Sequence, residues 1–168
     1  ALPISAPKWS VNGKWAVMYD PIAQVWNKFD GATGKVVNIS DAIGYPMFME
    51  SYDKPAPAPA YGIAGWTADG NNVFLYDAYD WWKIDLTGER QPECLTKGYG
   101  RKHGKSIRKM TSNIDKDVFQ KDEKVIVSLW DKDTMDEGVY QLDMKGRLRK
   151  LMEGNYVYTI HRFSDNHE

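Results

Sequence analysis

A run of basic residues is the part of the sequence best suited to binding an anion. Residues 101–109 contain five lysines and arginines and one histidine. An arginine guanidinium can bind a carboxylate or phosphate through two parallel N–H donors. The run therefore predicts either a contact with a substrate carboxylate or phosphate, or a docking surface for another domain. A solvated loop is the alternative. The candidate contacts are Arg101, Lys102, His103 and Arg108.

Two adjacent tryptophans are the other candidate contacts. Most of the seven tryptophans fall at or beside repeated positions, where we expect their rings to pack in the core. Trp81 and Trp82 differ because they are neighbours on a predicted strand. Successive strand side chains point to opposite faces, which leaves room for one exposed ring.

The remaining reactive side chains form no recognised catalytic or metal-binding motif. His103, His161 and His167 lack the close spacing of a metal site. The single Cys94 excludes an internal disulfide and a cysteine metal cluster. The acidic segment 131–137 lacks the order of ligands of an EF-hand, and we interpret it as a solvated hairpin tip. We expect neither a metal nor a cofactor.

Composition narrows the possible partners. The chain has 168 residues, and its 22 Lys+Arg oppose 23 Asp+Glu, so the net charge is −1. That balance removes the bulk attraction for nucleic acid that a basic chain would have. No apolar run approaches the length of a membrane-spanning helix, so we expect no membrane span. The length fits one domain.

The elements that must position these residues are indicated by an internal repeat. Residues 9–14 and 66–71 share one order: an aromatic residue, a hydroxyl residue, any residue, Asn or Asp, Gly, and a polar residue. A more divergent third copy lies at 119–124. A strand-like run ending on aspartate follows each copy, and then a second run ends on an aspartate that precedes a turn. The first set of aspartates is Asp20, Asp77 and Asp131, and the second set is Asp30, Asp85 and Asp143.

These repeated positions predict turns between short strands. Asn-Gly and Asp-Gly supply the positive φ of a tight hairpin, and an aspartate before a turn caps it by accepting backbone N–H groups. Four short strands per unit of about 40–50 residues is typical of a β-propeller blade. No segment shows a sustained helical period.

The predicted fold is an all-β, single partial propeller domain spanning residues 1–168. We expect about three four-stranded blades at about 4–40, 61–96 and 119–153, with long connections at 41–60 and 97–118. The first connection is rich in proline. Because propellers close with about 4–8 blades, three make an incomplete ring. The chain is then either a piece of a longer protein, which we favour, or it associates with copies of itself.

The repeat also resembles a known family. The blade pattern, the proline-rich arm at 54–60, and the segments 61–67 and 95–102 resemble the N-terminal propeller of bacterial prolyl-oligopeptidase-type serine peptidases, the acylaminoacyl-peptidase and dipeptidyl-peptidase group. The blades are also similar to those of the TolB protein. The resemblance implies a propeller that packs on an α/β-hydrolase domain, covers its active site and limits substrates to peptides. It also favours a periplasmic or secreted location.

The sequence departs from that family in one respect. The family's nucleophile lies in a G-x-S-x-G motif, which does not occur here, and the nearest segment, 104–108, lacks the second glycine. We therefore expect this chain to be inactive alone, with catalysis supplied by a serine peptidase of which it is part. A TolB-like protein-binding module using 101–109 and 41–60 is the first alternative. A propeller-type polysaccharide lyase or glycosidase is the second.

Overall fold

The structure is a computed structural model that describes residues 6–110, 117–154 and 158. Thirteen strands and one short helix lie in these residues. In chain order they are β1 (Lys8–Trp9), β2 (Trp15–Asp20), β3 (Val25–Asp30), β4 (Val36–Asn38), β5 (Ile63–Thr67), β6 (Asn72–Tyr76), β7 (Trp81–Asp85), β8 (Glu93–Cys94), α1 (Tyr99–Lys102), β9 (Lys105–Lys109), β10 (Val118–Phe119), β11 (Lys124–Asp131), β12 (Glu137–Asp143) and β13 (Leu148–Gly154).

The strands form three consecutive sheets, and the all-β fold predicted from the repeat is confirmed. Sheet 1 has the order β1-β2-β3-β4, and sheet 2 contains β5-β6-β7-β8 in the same sequential order. Sheet 3 has the order β13-β12-β11-β9. Each is a four-stranded antiparallel unit of the kind found in propeller blades. The short β10 adds a fifth strand to sheet 2, parallel to β5.

The turn chemistry predicted from the repeat is present. Gly13 and Gly70 have φ values of 69° and 71°, the left-handed region that the hairpins require. The strand-ending aspartates Asp20, Asp77 and Asp131 each accept the backbone N–H groups two and three residues ahead through Oδ1. Because the same side-chain bond closes the same turn in all three sheets, the repeat in sequence is a repeat in structure.

The structure differs from the predicted organisation between residues 97 and 118. That segment was expected to connect two blades, but it contains α1 and the strand β9, which is the first strand of sheet 3. Ile107 at the centre of β9 is fully buried. The lysines at its two ends are paired, Lys105 with Glu153 and Lys109 with Asp117. Because residues 101–109 contain five lysines and arginines, the sequence of β9 resembles a solvated basic loop.

Two apolar clusters join the three sheets. In β6, Val73 and Leu75 pack with residues of sheet 1, whereas Phe74 packs with Val127 and Leu129 of sheet 3. Successive side chains of a strand face opposite sides, so sheet 2 is buried on both faces between its neighbours. The helix in the described part of the chain is too short and too polar to cross a membrane.

The proline-rich connection 41–60 folds back against sheets 1 and 2. Ile43 and Met47 are buried in the cluster between these sheets. The Tyr19 hydroxyl donates to the Ala58 carbonyl oxygen at 3.0 Å, and Phe48 forms a bridge with Ala60. This packing places Tyr45 beside Trp82, with their ring centroids 6.1 Å apart.

Candidate binding site

A cleft of about 400 Å³ opens where the proline-rich connection, sheet 2 and α1 meet. We call it the Arg101 cleft. Aromatic rings, a thiol and two cationic side chains line it together with a buried carboxyl group. The lining residues are Tyr45, Asp80, Trp82, Cys94, Gly98, Arg101 and Lys102.

Asp77 organises one wall of the Arg101 cleft. Its Oδ1 accepts the backbone N–H groups of Tyr79 and Asp80 at 2.7 and 2.6 Å, which shapes the turn between β6 and β7. Its Oδ2 accepts the Trp82 indole N–H and an Arg101 guanidinium N–H, both at 3.1 Å. The Asp77 side chain is 1% exposed. A buried carboxylate thus fixes both the ring and the cation in place.

Asp80 lines the cleft and fixes the backbone around Arg101. Its Oδ1 accepts the Thr96 hydroxyl at 2.6 Å and the Gly100 N–H at 2.9 Å. Its Oδ2 accepts the backbone N–H of Arg101 at 3.0 Å. These bonds hold the backbone that carries Arg101, so the arginine is positioned from both its main chain and its side chain.

The Arg101 guanidinium lies close to two tyrosine rings. Its central carbon is 3.9 Å from the Tyr45 ring centroid and 5.0 Å from that of Tyr79. The side chain is 28% exposed. A guanidinium has five N–H donors in a planar fork, and Asp77 accepts one of them here. Stacking limits the motion of the fork, so its remaining donors are suited to a carboxylate in the cleft.

Lys102 and Cys94 complete the lining. Lys102 is exposed and adds a second positive charge at the opening. The Cys94 thiol accepts the Gly98 N–H at 3.2 Å. Burial raises the pKa of the Cys94 thiol, and the negative charge of Asp80 acts in the same direction. Because thiolate is the reactive form, this direction of the pKa shift disfavours Cys94 as a nucleophile.

The structure brings three of the six candidate residues into the Arg101 cleft: Arg101, Lys102 and Trp82. Trp81 is fully buried, and its indole N–H donates to the Ile107 carbonyl oxygen at 3.2 Å. His103 follows α1, is exposed, and stacks on Tyr99 with ring centroids 4.3 Å apart. Neither residue lines the cleft.

Arg108 lies on β9 and serves the fold. Its guanidinium donates to the carbonyl oxygens of Asp77, Ala78 and Ile107 at 2.6, 3.2 and 2.8 Å. It also lies 4.6 Å from the Tyr76 ring centroid. Burial lowers the pKa of Arg108. A guanidinium with these partners joins sheets 2 and 3 and is not directed at a ligand.

Sequence reasoning missed the carboxylates behind the site. Asp77 was recognised as a strand-ending aspartate, but its partner Arg101 lies 24 residues later in the chain. A contact at that separation leaves no short-range pattern in the sequence. Asp80 likewise reaches residues 16 to 21 positions away. Tyr45 lies in the proline-rich connection, whose path across sheet 2 no motif indicates.

The described residues contain no group of three or more His, Cys, Asp or Glu side chains placed to hold a metal ion. His161 and His167 lie outside these residues. In the acidic hairpin, Asp131 accepts the N–H groups of Asp133 and Thr134, which lowers its pKa. That carboxylate closes a turn.

Comparison with known proteins supplies no family. No family model and no curated protein sequence matches the chain. Among solved structures, the chain is similar to the calcium-binding protein regucalcin of Agrobacterium tumefaciens strain C58, with a TM-score of 0.38 and 11% identity. The match covers 90% of this chain, and the chain spans 43% of the length of that protein.

Proposed function

We propose that the chain is a non-catalytic propeller segment that holds a peptide by its carboxylate for a serine peptidase of the prolyl-oligopeptidase type. In this role it gates access of peptides and packs against an α/β-hydrolase domain. The observation that carries the proposal is the Arg101 guanidinium, which lies over the Tyr45 ring, near the Tyr79 ring, and is bonded to the buried carboxylate of Asp77. The peptidase assignment rests on the resemblance of the sequence, which is an analogy of function.

The ligand chemistry follows from the lining of the cleft. Arg101 and Lys102 favour an anionic group, and the partly exposed rings of Tyr45 and Trp82 favour an apolar or aromatic side chain beside it. A peptide ending in a free carboxylate and an aromatic residue offers both. The carboxyl groups of Asp77 and Asp80 formally balance the two cations, so the proposed ligand is favoured by direct bonds to the Arg101 and Lys102 donors and not by a net positive charge.

The test compares a short N-acetylated peptide ending in phenylalanine with the same peptide amidated at its C-terminus. We expect the acid to bind the chain and the amide to bind at least about tenfold more weakly, because a hydrogen bond to a charged group contributes about 1.5–3 kcal/mol. Arg101→Gln and Lys102→Gln should each weaken binding of the acid. Isothermal titration calorimetry measures all four affinities.

One control variant and the independence of the two cleft variants make the test specific. Arg90→Gln removes an exposed arginine from the connection between β7 and β8, outside the cleft, and should leave the affinity unchanged. Lys102→Gln does not touch Asp77, so it reports on binding even where Arg101→Gln perturbs the fold. Equal affinities for acid and amide, or full binding by both cleft variants, would contradict a carboxylate site.

A TolB-like protein-binding module is the second candidate. It is favoured by the apolar side chains on the outer face of sheet 1, where Trp9 and Val36 are 54% and 60% exposed. The lyase or glycosidase alternative requires a free acid and a base at one opening. The one carboxylate that lines the Arg101 cleft, Asp80, is bonded through both oxygens.

A further inference from the structure

The proline-rich connection brings one side chain, Tyr45, onto the Arg101 guanidinium. The central carbon of the guanidinium lies 3.9 Å from the Tyr45 ring centroid. Carbon atoms attract one another best at about 3.5–4.0 Å, so the cation and the ring are in close contact. The Tyr79 ring is farther away, at 5.0 Å. Tyr45 therefore supplies the closer of the two aromatic contacts to the cation.

The path of the connection holds Tyr45 in this position. Ile43 and Met47, two residues to either side, are buried in the cluster between sheets 1 and 2. Pro46 follows Tyr45 directly, and a residue before proline is restricted to extended conformations. Tyr45 itself is 45% exposed, so its ring lies at the surface of the cleft. Two buried anchors and a restricted backbone thus fix where the ring meets the cation.

The hydrogen bonds of Arg101 do not by themselves fix the direction of its planar fork. Asp77 accepts one guanidinium N–H at 3.1 Å, and Asp80 accepts the backbone N–H. A single hydrogen bond from the side chain lets the fork turn about the axis of that bond. A ring face in contact with the guanidinium opposes this rotation, because the rotation would reduce the contact. The direction of the remaining donors therefore depends on Tyr45.

We propose that Tyr45 is a positioning residue that gives the Arg101 cleft its preference for a terminal carboxylate over an uncharged amide. This inference rests on the proposed function of the cleft and adds the residue that sets its specificity. The ring acts through Arg101, because it directs the remaining N–H donors of the fork toward the carboxylate oxygens of the ligand. The proline-rich connection is then part of the binding site as well as a link between sheets 1 and 2.

The test measures the affinities of Tyr45→Leu for the N-acetylated peptide ending in phenylalanine and for its amide, by isothermal titration calorimetry. Loss of an apolar contact with the ligand would weaken both peptides equally. We expect the acid to lose about fivefold more affinity than the amide, so that the preference for the acid falls from at least about tenfold to about twofold. Tyr45→Phe keeps the ring and should restore most of the preference.

Two further variants show whether Tyr45 acts through Arg101. When Arg101→Gln is already present, adding Tyr45→Leu should not change the preference again, because two residues that act through one contact are not additive. Tyr52→Leu is the matched control. It makes the same substitution in the same connection at a half-buried tyrosine outside the cleft, and it should keep the wild-type preference.

The outcomes separate this inference from the proposed function. If the wild type prefers the acid and Tyr45→Leu keeps the full preference, the inference is wrong and the carboxylate site is unaffected. The inference is also wrong if Tyr45→Phe fails to restore the preference, if Tyr52→Leu loses it equally, or if Tyr45→Leu lowers it further when combined with Arg101→Gln. Equal affinities of the wild type for acid and amide contradict both proposals.

Discussion

Asp77 is the residue on which the Arg101 cleft depends. It repeats the turn of Asp20, yet it is buried and has two further donors, Trp82 and Arg101. The same repeated aspartate that closes a turn in sheets 1 and 3 therefore also positions the side chains of the Arg101 cleft in sheet 2. The turn-closing role can be predicted from an aspartate at the end of a strand. The bonds to Trp82 and Arg101 cannot, because only the fold brings these residues together.

Asp77→Asn should lower the free energy of unfolding by about 2 kcal/mol, because it removes the charge from the buried acceptor of the Trp82 and Arg101 hydrogen bonds. An amide nitrogen would also face the donors of Trp82 or of the turn. Denaturation in urea measures the loss. Asp20→Asn is the matched control, since it alters the same turn without an arginine partner, and it should cost within about 0.5 kcal/mol. Equal losses in the two variants would show that Asp77 acts only as a cap.

Glu153 should make stability depend on pH in acid. Bonds from Lys150 and Lys105 lower its pKa from 4.5 to about 2, and Lys105 lies on β9 at the opposite edge of sheet 3. A carboxyl group whose folded pKa is lowered stabilises the protein above its unfolded pKa. That stabilisation is lost as the pH falls from about 4.5 to about 2.

Glu153→Gln should therefore lose less stability than the wild type between pH 7 and pH 2.5 in urea denaturation. Glu89→Gln, at an exposed glutamate between β7 and β8, should follow the wild-type profile. Parallel profiles for Glu153→Gln and the wild type across this window would argue against the ion pairs.

At the scale of the elements, the strands and turns of sheets 1 and 2 could be predicted because their signals are local. The Gly-containing hairpins and strand-ending aspartates mark both ends of β2 and β6. Sheet 3 could not be predicted in full. Its first strand, β9, has lysines at its ends, and its pairing with β11 crosses a segment of more than ten residues. Charge counted along the sequence does not reveal that Glu153 and Asp117 neutralise those lysines.

The turn between β12 and β13 is a further contact between sheets 2 and 3. Gly146 has a φ of 83°, and a Cβ atom there would overlap the Leu95 carbonyl oxygen. Gly88 occupies the equivalent turn of sheet 2 with the same φ and has open space around it. A side chain at either position would suffer the same backbone strain. Only at Gly146 would it also clash with the Leu95 carbonyl oxygen.

Gly146→Ala should therefore destabilise the chain more than Gly88→Ala. An alanine at positive φ costs about 1 kcal/mol at both sites, and the overlap at Gly146 adds about 1–3 kcal/mol. Thermal unfolding followed by circular dichroism measures the difference. If the two variants unfold at the same temperature, Gly146 is not in close contact with the Leu95 carbonyl oxygen.

At the scale of the whole molecule, the stacking of the sheets explains where the site lies. Sheet 2 is covered on both faces, so β6 reads as a continuous apolar run, Val-Phe-Leu-Tyr, with no alternation. Its surface is accessible at the turns and edges of the sheet. The turn after β6, the connection after β8 and the proline-rich connection meet there, and the Arg101 cleft forms between them.

We propose that this propeller segment serves a serine peptidase, and that proposal can be tested on the native protein. The most direct measurement recovers the native protein with an antibody raised against the 168-residue chain, records its intact mass and treats it with a fluorophosphonate. We expect a much larger polypeptide with one phosphonylated serine outside these 168 residues. A protein of propeller size that takes no label would contradict it.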